Sequence, residues 1–259
     1  MTNDYSHELT FAKRLALDAN KISDKYYKTD LDFKTKADTS PVSIADEEIN
    51  QLVIDGVRHS FPNDGVLGEE KSWHKNSDRL WVCDPIDGTI GFSMGESVFM
   101  FSIALVVEGK PVLALTRELA NGRMFWAIKG KGAFLDNKPI SVSTRPIDKA
   151  WLAFPSNLKQ LYKYQTFYEG LARISYQTNV IHGAVFKGML VAEGLIDGAA
   201  VPAGGHPWDH AAVKLIVEEA GGMVTNGKGL EQRYDQELSG VIVSNGRIHQ
   251  DILKVVGNS

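Results

Sequence analysis

The chain has 259 residues, a formal net charge of −4, and 43% apolar and 23% charged side chains, an ordinary soluble globular composition. That length fits one large domain or two small ones sharing a core. No cluster of lysine and arginine makes a nucleic-acid footprint, no apolar run approaches the roughly eighteen residues of a membrane span, and the polar start MTNDYSHELTFAKR lacks the apolar core of a secretory signal. Cys83 is the sole cysteine, so no internal disulfide forms, which fits a reducing cytoplasm.

In chain order, His7 to Tyr27 predicts an amphipathic helix and Lys28 to Pro41 a loop or irregular hairpin. Ser43 reads as the N-cap of a second helix. Its residues Ile49, Leu52, Val53, Gly56 and Val57 keep the i, i+3, i+4 spacing of a buried stripe. Phe61 to Gly65 closes it with turn chemistry. Strand-like runs follow at Val66 to Gly68, leading into Glu69-Glu70, and at Leu80 to Cys83, leading into Asp84. Longer ones span Val98 to Val107, Val112 to Leu115 and Met124 to Ile128, with turns at Glu108-Gly109-Lys110 and Asn121-Gly122. Gly130 to Lys138 ends a hairpin region. In the second half, Trp151 to Phe154 predicts a strand, and Leu158 to Ile174 and Ala184 to Glu193 predict helices. Trp208-Asp209 opens a helix over Ala211 to Ala220 that Gly221-Gly222 caps. Strands near Met223 and over Val241 to Ser244 precede a last helix, Gln250 to Val256. Helices at both ends with sheets between them imply layered α/β packing, softly divided near residue 145 into sub-domains 1–145 and 146–259.

Four acidic stretches end an apolar run or open a helix: Asp46, Glu69-Glu70, Asp84 with Asp87, and Asp209. A buried carboxylate without compensation costs several kcal/mol or shifts its pKa, so carboxylates converging on one point need a cation. An oxygen-only donor set selects a hard ion, Mg²⁺ before Zn²⁺, and no Cys/His spacing offers another metal. In DPIDGT, Pro85 fixes one dihedral between the two aspartates, so both carboxylates, and the Ile86 carbonyl with them, can face one side of a turn. Gly88 admits a close ligand, and a helix starting near Thr89 would offer free amides to a phosphate. Two ions bridged by Asp84 would then activate a water, oriented by the Thr89 hydroxyl, and stabilise the leaving oxygen.

These motifs resemble the inositol monophosphatase superfamily of Mg²⁺-dependent, lithium-sensitive phosphomonoesterases. GEE at Gly68 to Glu70, DPIDGT at Asp84 to Thr89 and PWDHAAVKLIVEEAGG at Pro207 to Gly222 are its signatures, in order. TSPVSIAD (Thr39 to Asp46), GKGAFLDNKPISVS (Gly130 to Ser143) and IVSNGRIH (Ile242 to His249) extend the match over nearly the whole chain. The resemblance implies an αβαβα sandwich, often dimeric, holding two or three Mg²⁺. Glu69, Asp84 and the Ile86 carbonyl would bind the first ion, Asp84, Asp87 and Asp209 the second, and Glu69 with waters a weaker third. Thr89 with Asp46 would polarise the attacking water, Glu70 would be a water-bridged neighbour, and the Asp87-Gly88-Thr89 segment would hold the phosphate.

The alcohol side departs from the family. Ala199 to His206, just before PWD, carries no carboxylate to grip inositol hydroxyls. His182 to Lys187 replaces the usual Gly-Ser/Thr-Ala-Ala segment, and Ile90-Gly91-Phe92 replaces Thr-Asn-Phe. NDGVLGEE and SPVSIAD are closer to the bacterial histidinol-phosphatase branch, yet that branch's Gly-Asp-Cys-Tyr-Gly is absent. His182, Lys187 and His206 are candidate substrate contacts, each with an alternative as a structural or surface residue. Asp46 has an alternative as a first-turn helix acid, Thr89 as a cap and Glu70 as a surface acid. The expectation is a cytoplasmic phosphatase of a small phosphorylated metabolite, with no membrane or nucleic-acid partner. Inositol monophosphate comes first; histidinol phosphate and a sugar or nucleotide phosphate follow. The non-enzymatic alternative is a regulatory partner of RNA machinery.

Overall fold

The computed structural model describes residues 4–29, 34–35, 41–156 and 158–257. Helix α1 (Ser6–Tyr26) leads to a minimal antiparallel pair, β1 (Lys34–Thr35) with β2 (Pro41–Val42). The rest of the expected Lys28 to Pro41 loop, residues 30–33 and 36–40, lies outside the described residues. Helix α2 (Ile44–Ser60) starts where Ser43 predicts, in a reciprocal capping box: the Asp46 N–H donates to Ser43 Oγ at 3.4 Å and the Ser43 N–H to the Asp46 carboxylate at 2.9 Å.

A seven-stranded sheet follows in sequential order: β3 (Gly65–Gly68), β4 (Arg79–Asp87), β5 (Met100–Val107), β6 (Lys110–Glu118), β7 (Met124–Ile128), β8 (Ala133–Leu135) and β9 (Lys138–Pro139). Only the β3–β4 pairing is parallel. The short helix α3 (Thr89–Ser93) interrupts it after β4. A second, five-stranded sheet has the order β11 (Gln177–Ile181), β10 (Trp151–Pro155), β12 (Gly198–Val201), β14 (Val241–Ser244), β13 (Met223–Thr225). Its helices are α4 (Leu158–Lys163), α5 (Gln165–Ile174), α6 (Ala184–Ala192), α7 (Pro207–Glu219) and α8 (His249–Gly257).

Side-chain alternation sorts these elements into layers. Along β4, Trp81 and Cys83 pack with α1 and α2 residues such as Phe11, Leu15, Ile49 and Val53. Leu80 and Val82 point the other way, into a core shared with Val185 and Met189 of α6 and Val213 and Ile216 of α7. In β14, Val241 and Val243 join that same core, while Ile242 faces Phe167, Leu171 and Ile252 of α5 and α8. The order is therefore α1/α2, sheet, α6/α7, sheet, α5/α8, the αβαβα sandwich. Both sheets are covered on both faces, which is why their central strands read as continuous apolar runs.

Three expectations are corrected. The Leu158 to Ile174 helix is two helices broken at Tyr164. The strands β11 and β12 carried too weak a pattern to be read: β11 is a polar edge strand, Gln-Thr-Asn-Val-Ile, and β12 is Gly-Ala-Ala-Val. Finally, β4 does not stop at Cys83 but runs through the DPID motif to Asp87, so the aspartates lie on a strand and not in a turn.

Candidate active site

In a regular strand, residues three apart point to opposite faces. Asp84 pairs with Ser102 and Asp87 with Met100, so three steps on β4 oppose two on β5. This bulge, at Pro85-Ile86, resets the alternation and turns both carboxylates to one side. Proline suits the position because it has no N–H to lose from the ladder. Asp209, in the first turn of α7, brings the third carboxylate: one ligand atom from each of Asp84, Asp87 and Asp209 lies within 4.8 Å of the others.

The remaining predicted residues arrive from separate elements. Glu69 follows β3, and its N–H donates to the Cys83 carbonyl at 3.1 Å, one register step from Asp84. Asn50 of α2 steadies that turn by donating to the Lys71 carbonyl at 2.9 Å. Gly88 caps α3 at φ +90°, where a Cβ would meet the Val98 carbonyl at 2.9 Å. The Thr89 hydroxyl lies 3.0 Å from the Ile86 carbonyl and 3.4 Å from Asp46 Oδ1. Asp46 is fully buried, so its capping role and its place beside Thr89 are one geometry.

Glu69, Asp87, Gly88, Thr89, Lys187 and Asp209 line one cavity of about 470 Å³, with His182 and His206 also on its wall. Glu70 stands beside this cavity, where its charge, with that of Glu69, helps to raise the Asp46 carboxyl. It lines a neighbouring cleft with Glu47, Asn50 and Lys71. At the outer wall, His182 lies 4.0 Å from Glu96, and His206 contacts Glu237 at 2.8 Å while stacking on Trp208. Gln160, Ser156 and His210 also line the cavity and were missed in the sequence. His210 follows Asp209 directly and could have been suspected; Ser156 and Gln160 carry no local signal.

The electrostatics are those of a cation site. Burial raises the Asp84 carboxyl well above the ordinary range, with Glu69, Asp87 and Asp209 adding to the effect. Burial likewise raises Asp209, followed by the charges of Asp87 and Glu69. Asp84 Oδ1 is buried with no hydrogen-bond partner. Crowded carboxylates with an orphaned oxygen fit a hard divalent ion, which is what an oxygen-only donor set selects. Asp87 is raised by burial but opposed by α6: its oxygens accept the N–H groups of Ala184 at 2.7 Å and Phe186 at 3.2 Å. Asp46 is pushed up to about 7 by burial, against the hydrogen bonds from Ser43. Burial lowers the Lys187 amine, against the pull of Asp87 and Asp209, and lowers His210 to about 3.

Residues 4–259 match the model of the inositol monophosphatase family. The chain belongs to the inositol monophosphatase family. Members of the inositol monophosphatase family are phosphatases, that is, phosphoric monoester hydrolases. The histidinol-phosphatase of Chlorobaculum parvum is 32% identical over 255 residues, 97% of each chain. The fructose-1,6-bisphosphatase/inositol-1-monophosphatase of Thermotoga maritima is 33% identical over 215 residues, 83% of this chain and 82% of that one. A solved IMPase structure from Thermotoga maritima superposes with a TM-score of 0.88 at 29% identity, covering 97% of both chains. Among the described residues, no helix is long and apolar enough to cross a membrane.

Proposed function

We propose that this chain is a Mg²⁺-dependent phosphatase that hydrolyses a small phosphomonoester by attack of water on phosphorus. The observation that carries it is the convergence of Asp84, Asp87 and Asp209 within 4.8 Å beside a cavity that Gly88 and Thr89 also line. In this reading Glu69, Asp84 and the Ile86 carbonyl hold one ion, Asp84, Asp87 and Asp209 a second, and Glu69 helps hold a weaker third. Held there, the ions supply the positive charge that offsets the negative charge of phosphoryl transfer. The amides at Gly88 and Thr89 orient the phosphate. Thr89 orients the water and Asp46 takes its proton, a role for which a carboxyl near pH 7 is suited.

Inositol monophosphate is the substrate that the resemblance puts first. Histidinol phosphate is a second reading, favoured by two observations. A relative matched over 97% of its length, that of Chlorobaculum parvum, is named histidinol-phosphatase. The wall at Val201, Ala203 and Gly205 offers no carboxylate to sugar hydroxyls, while Glu96 and Glu237, behind His182 and His206 of that wall, add negative charge that suits an ammonium group. A homodimer is part of the proposal; exposed Tyr176 and Val180 beside and on the edge strand β11 support it.

The test is phosphate release with and without Mg²⁺ across inositol 1-phosphate, histidinol phosphate, fructose 1,6-bisphosphate, 3′-phosphoadenosine 5′-phosphate, AMP and glycerol 2-phosphate. Mg²⁺-dependent release, inhibited by lithium, is expected, with one substrate well ahead of the others. No Mg²⁺-dependent release from any of them overturns the phosphatase reading in favour of a binding partner.

A further inference from the structure

The two sides of the acidic cluster are compensated unequally. Asp84 has a buried oxygen with no donor. Asp87 has both oxygens engaged by backbone N–H groups at the start of α6, where the helix dipole adds positive potential. One turn into α6, Lys187 lines the same cavity as Asp87, Asp209 and His210, and the charges of Asp87 and Asp209 act on it. Among the described residues its ammonium makes no hydrogen bond and no close ion pair. A half-buried ammonium with three uncommitted donors acts on its surroundings through its charge, and the charges facing it are those of two proposed ligands. The neighbouring His210 is buried and lines the same cavity.

We infer that the Lys187 ammonium is a resident counter-cation for the Asp87 and Asp209 pair, so that a divalent ion enters that half of the site only against it. This rests on the metal-dependent reading proposed above and deepens it. The lysine offsets carboxylate repulsion when no ion is bound and repels the incoming ion when one arrives. The ion on the Asp84 and Glu69 side, whose carboxylates are not among the charges acting on Lys187, is little affected.

The experiment is Mn²⁺ binding to the full chain, followed by isothermal titration calorimetry and by the electron paramagnetic resonance signal of free Mn²⁺. It compares wild type with Lys187→Met and Lys187→Arg. Removing a like charge from a partly desolvated site tightens the second ion by about tenfold or more in Lys187→Met. The first ion stays within about twofold, and Lys187→Arg binds as wild type does. Metal-free Lys187→Met also melts at a lower temperature than wild type and regains the difference with Mn²⁺. Lys187→Gln serves as a second neutral variant if Lys187→Met does not fold. Equal second-ion affinity in wild type and the neutral variants overturns the inference, as does an arginine variant that binds like the methionine one. Two-ion binding with no phosphate release overturns the phosphatase reading alone, and a wild-type chain that binds no Mn²⁺ overturns both.

Discussion

The Asp87 carboxylate, at the end of β4, accepts the backbone N–H of Ala184 at 2.7 Å, ninety-seven positions later in the chain. A proposed metal ligand of the seven-stranded sheet is thus aimed by the first turn of a helix that belongs to the other half of the molecule. Gly183 makes this approach possible. It has φ +75°, and a Cβ there would lie 2.5 Å from Asp87 Oδ2.

Gly183→Ala therefore pushes on Asp87 directly. A fall of about 10- to 100-fold in Mg²⁺-dependent phosphate release is expected, the size typical of losing support behind a metal ligand. Thermal unfolding of the purified variant checks that the fold survives; wild-type activity would contradict the positioning role.

Asp87→Asn keeps the size, removes the charge and turns one of the two N–H acceptors into a donor. Activity drops by at least about 100-fold, more than when only the support behind a ligand is lost, while circular dichroism stays native. A full-rate variant would sink the two-metal mechanism.

Thr89 and Asp46 are proposed to act as one unit, their side chains 3.4 Å apart. Thr89→Ala and Asp46→Asn each lower kcat by about 100-fold or more, and the double variant is little worse than either single one. Additive losses in a double-mutant cycle would show that the two act separately.

His249 is 1% exposed, with its ring nitrogens 2.9 Å from Thr225 Oγ1 and 2.8 Å from Ser244 Oγ, and burial lowers its pKa to about 4. The unfolded chain takes up a proton near pH 6.5 that the folded one refuses until about pH 4. This group's contribution to stability is complete above pH 6.5 and lost as pH falls toward 4. Denaturant midpoints should fall over that window, and His249→Gln should flatten the slope.

Asp197 is wholly buried and accepts hydrogen bonds from Arg145 Nε at 2.8 Å and the Trp151 N–H at 2.7 Å, joining the connector between the sheets to β10. Asp197→Ala leaves these donors unpaired and costs about 3 kcal/mol or more, read from urea unfolding. A variant as stable as wild type would mean that water replaces the carboxylate at no cost.

Much of this molecule could be read from local sequence because local physics sets it. The Ser43 cap and the apolar stripe of Ile49, Val53 and Val57 fix α2 with no help from distant residues. GEE, DPIDGT and PWD carry the candidate ligands, and their chemistry alone called for a hard cation. What tertiary structure decided was orientation. The bulge that turns Asp84 and Asp87 to one face exists only because β5 sets a register beside β4. Glu70 was separated from Glu69 by the path of the chain after β3, which no residue type announces. The edge strand β11 is polar because its outer side lacks a partner strand, so its pattern carried no strand signal. Lys187 stood out in the sequence only as a candidate substrate contact; packing α6 and α7 between two sheets placed it on the cavity that Asp87 and Asp209 also line. Residue type determined which charges the chain carries, and the packing of five layers decided which of them must face one another without water between them.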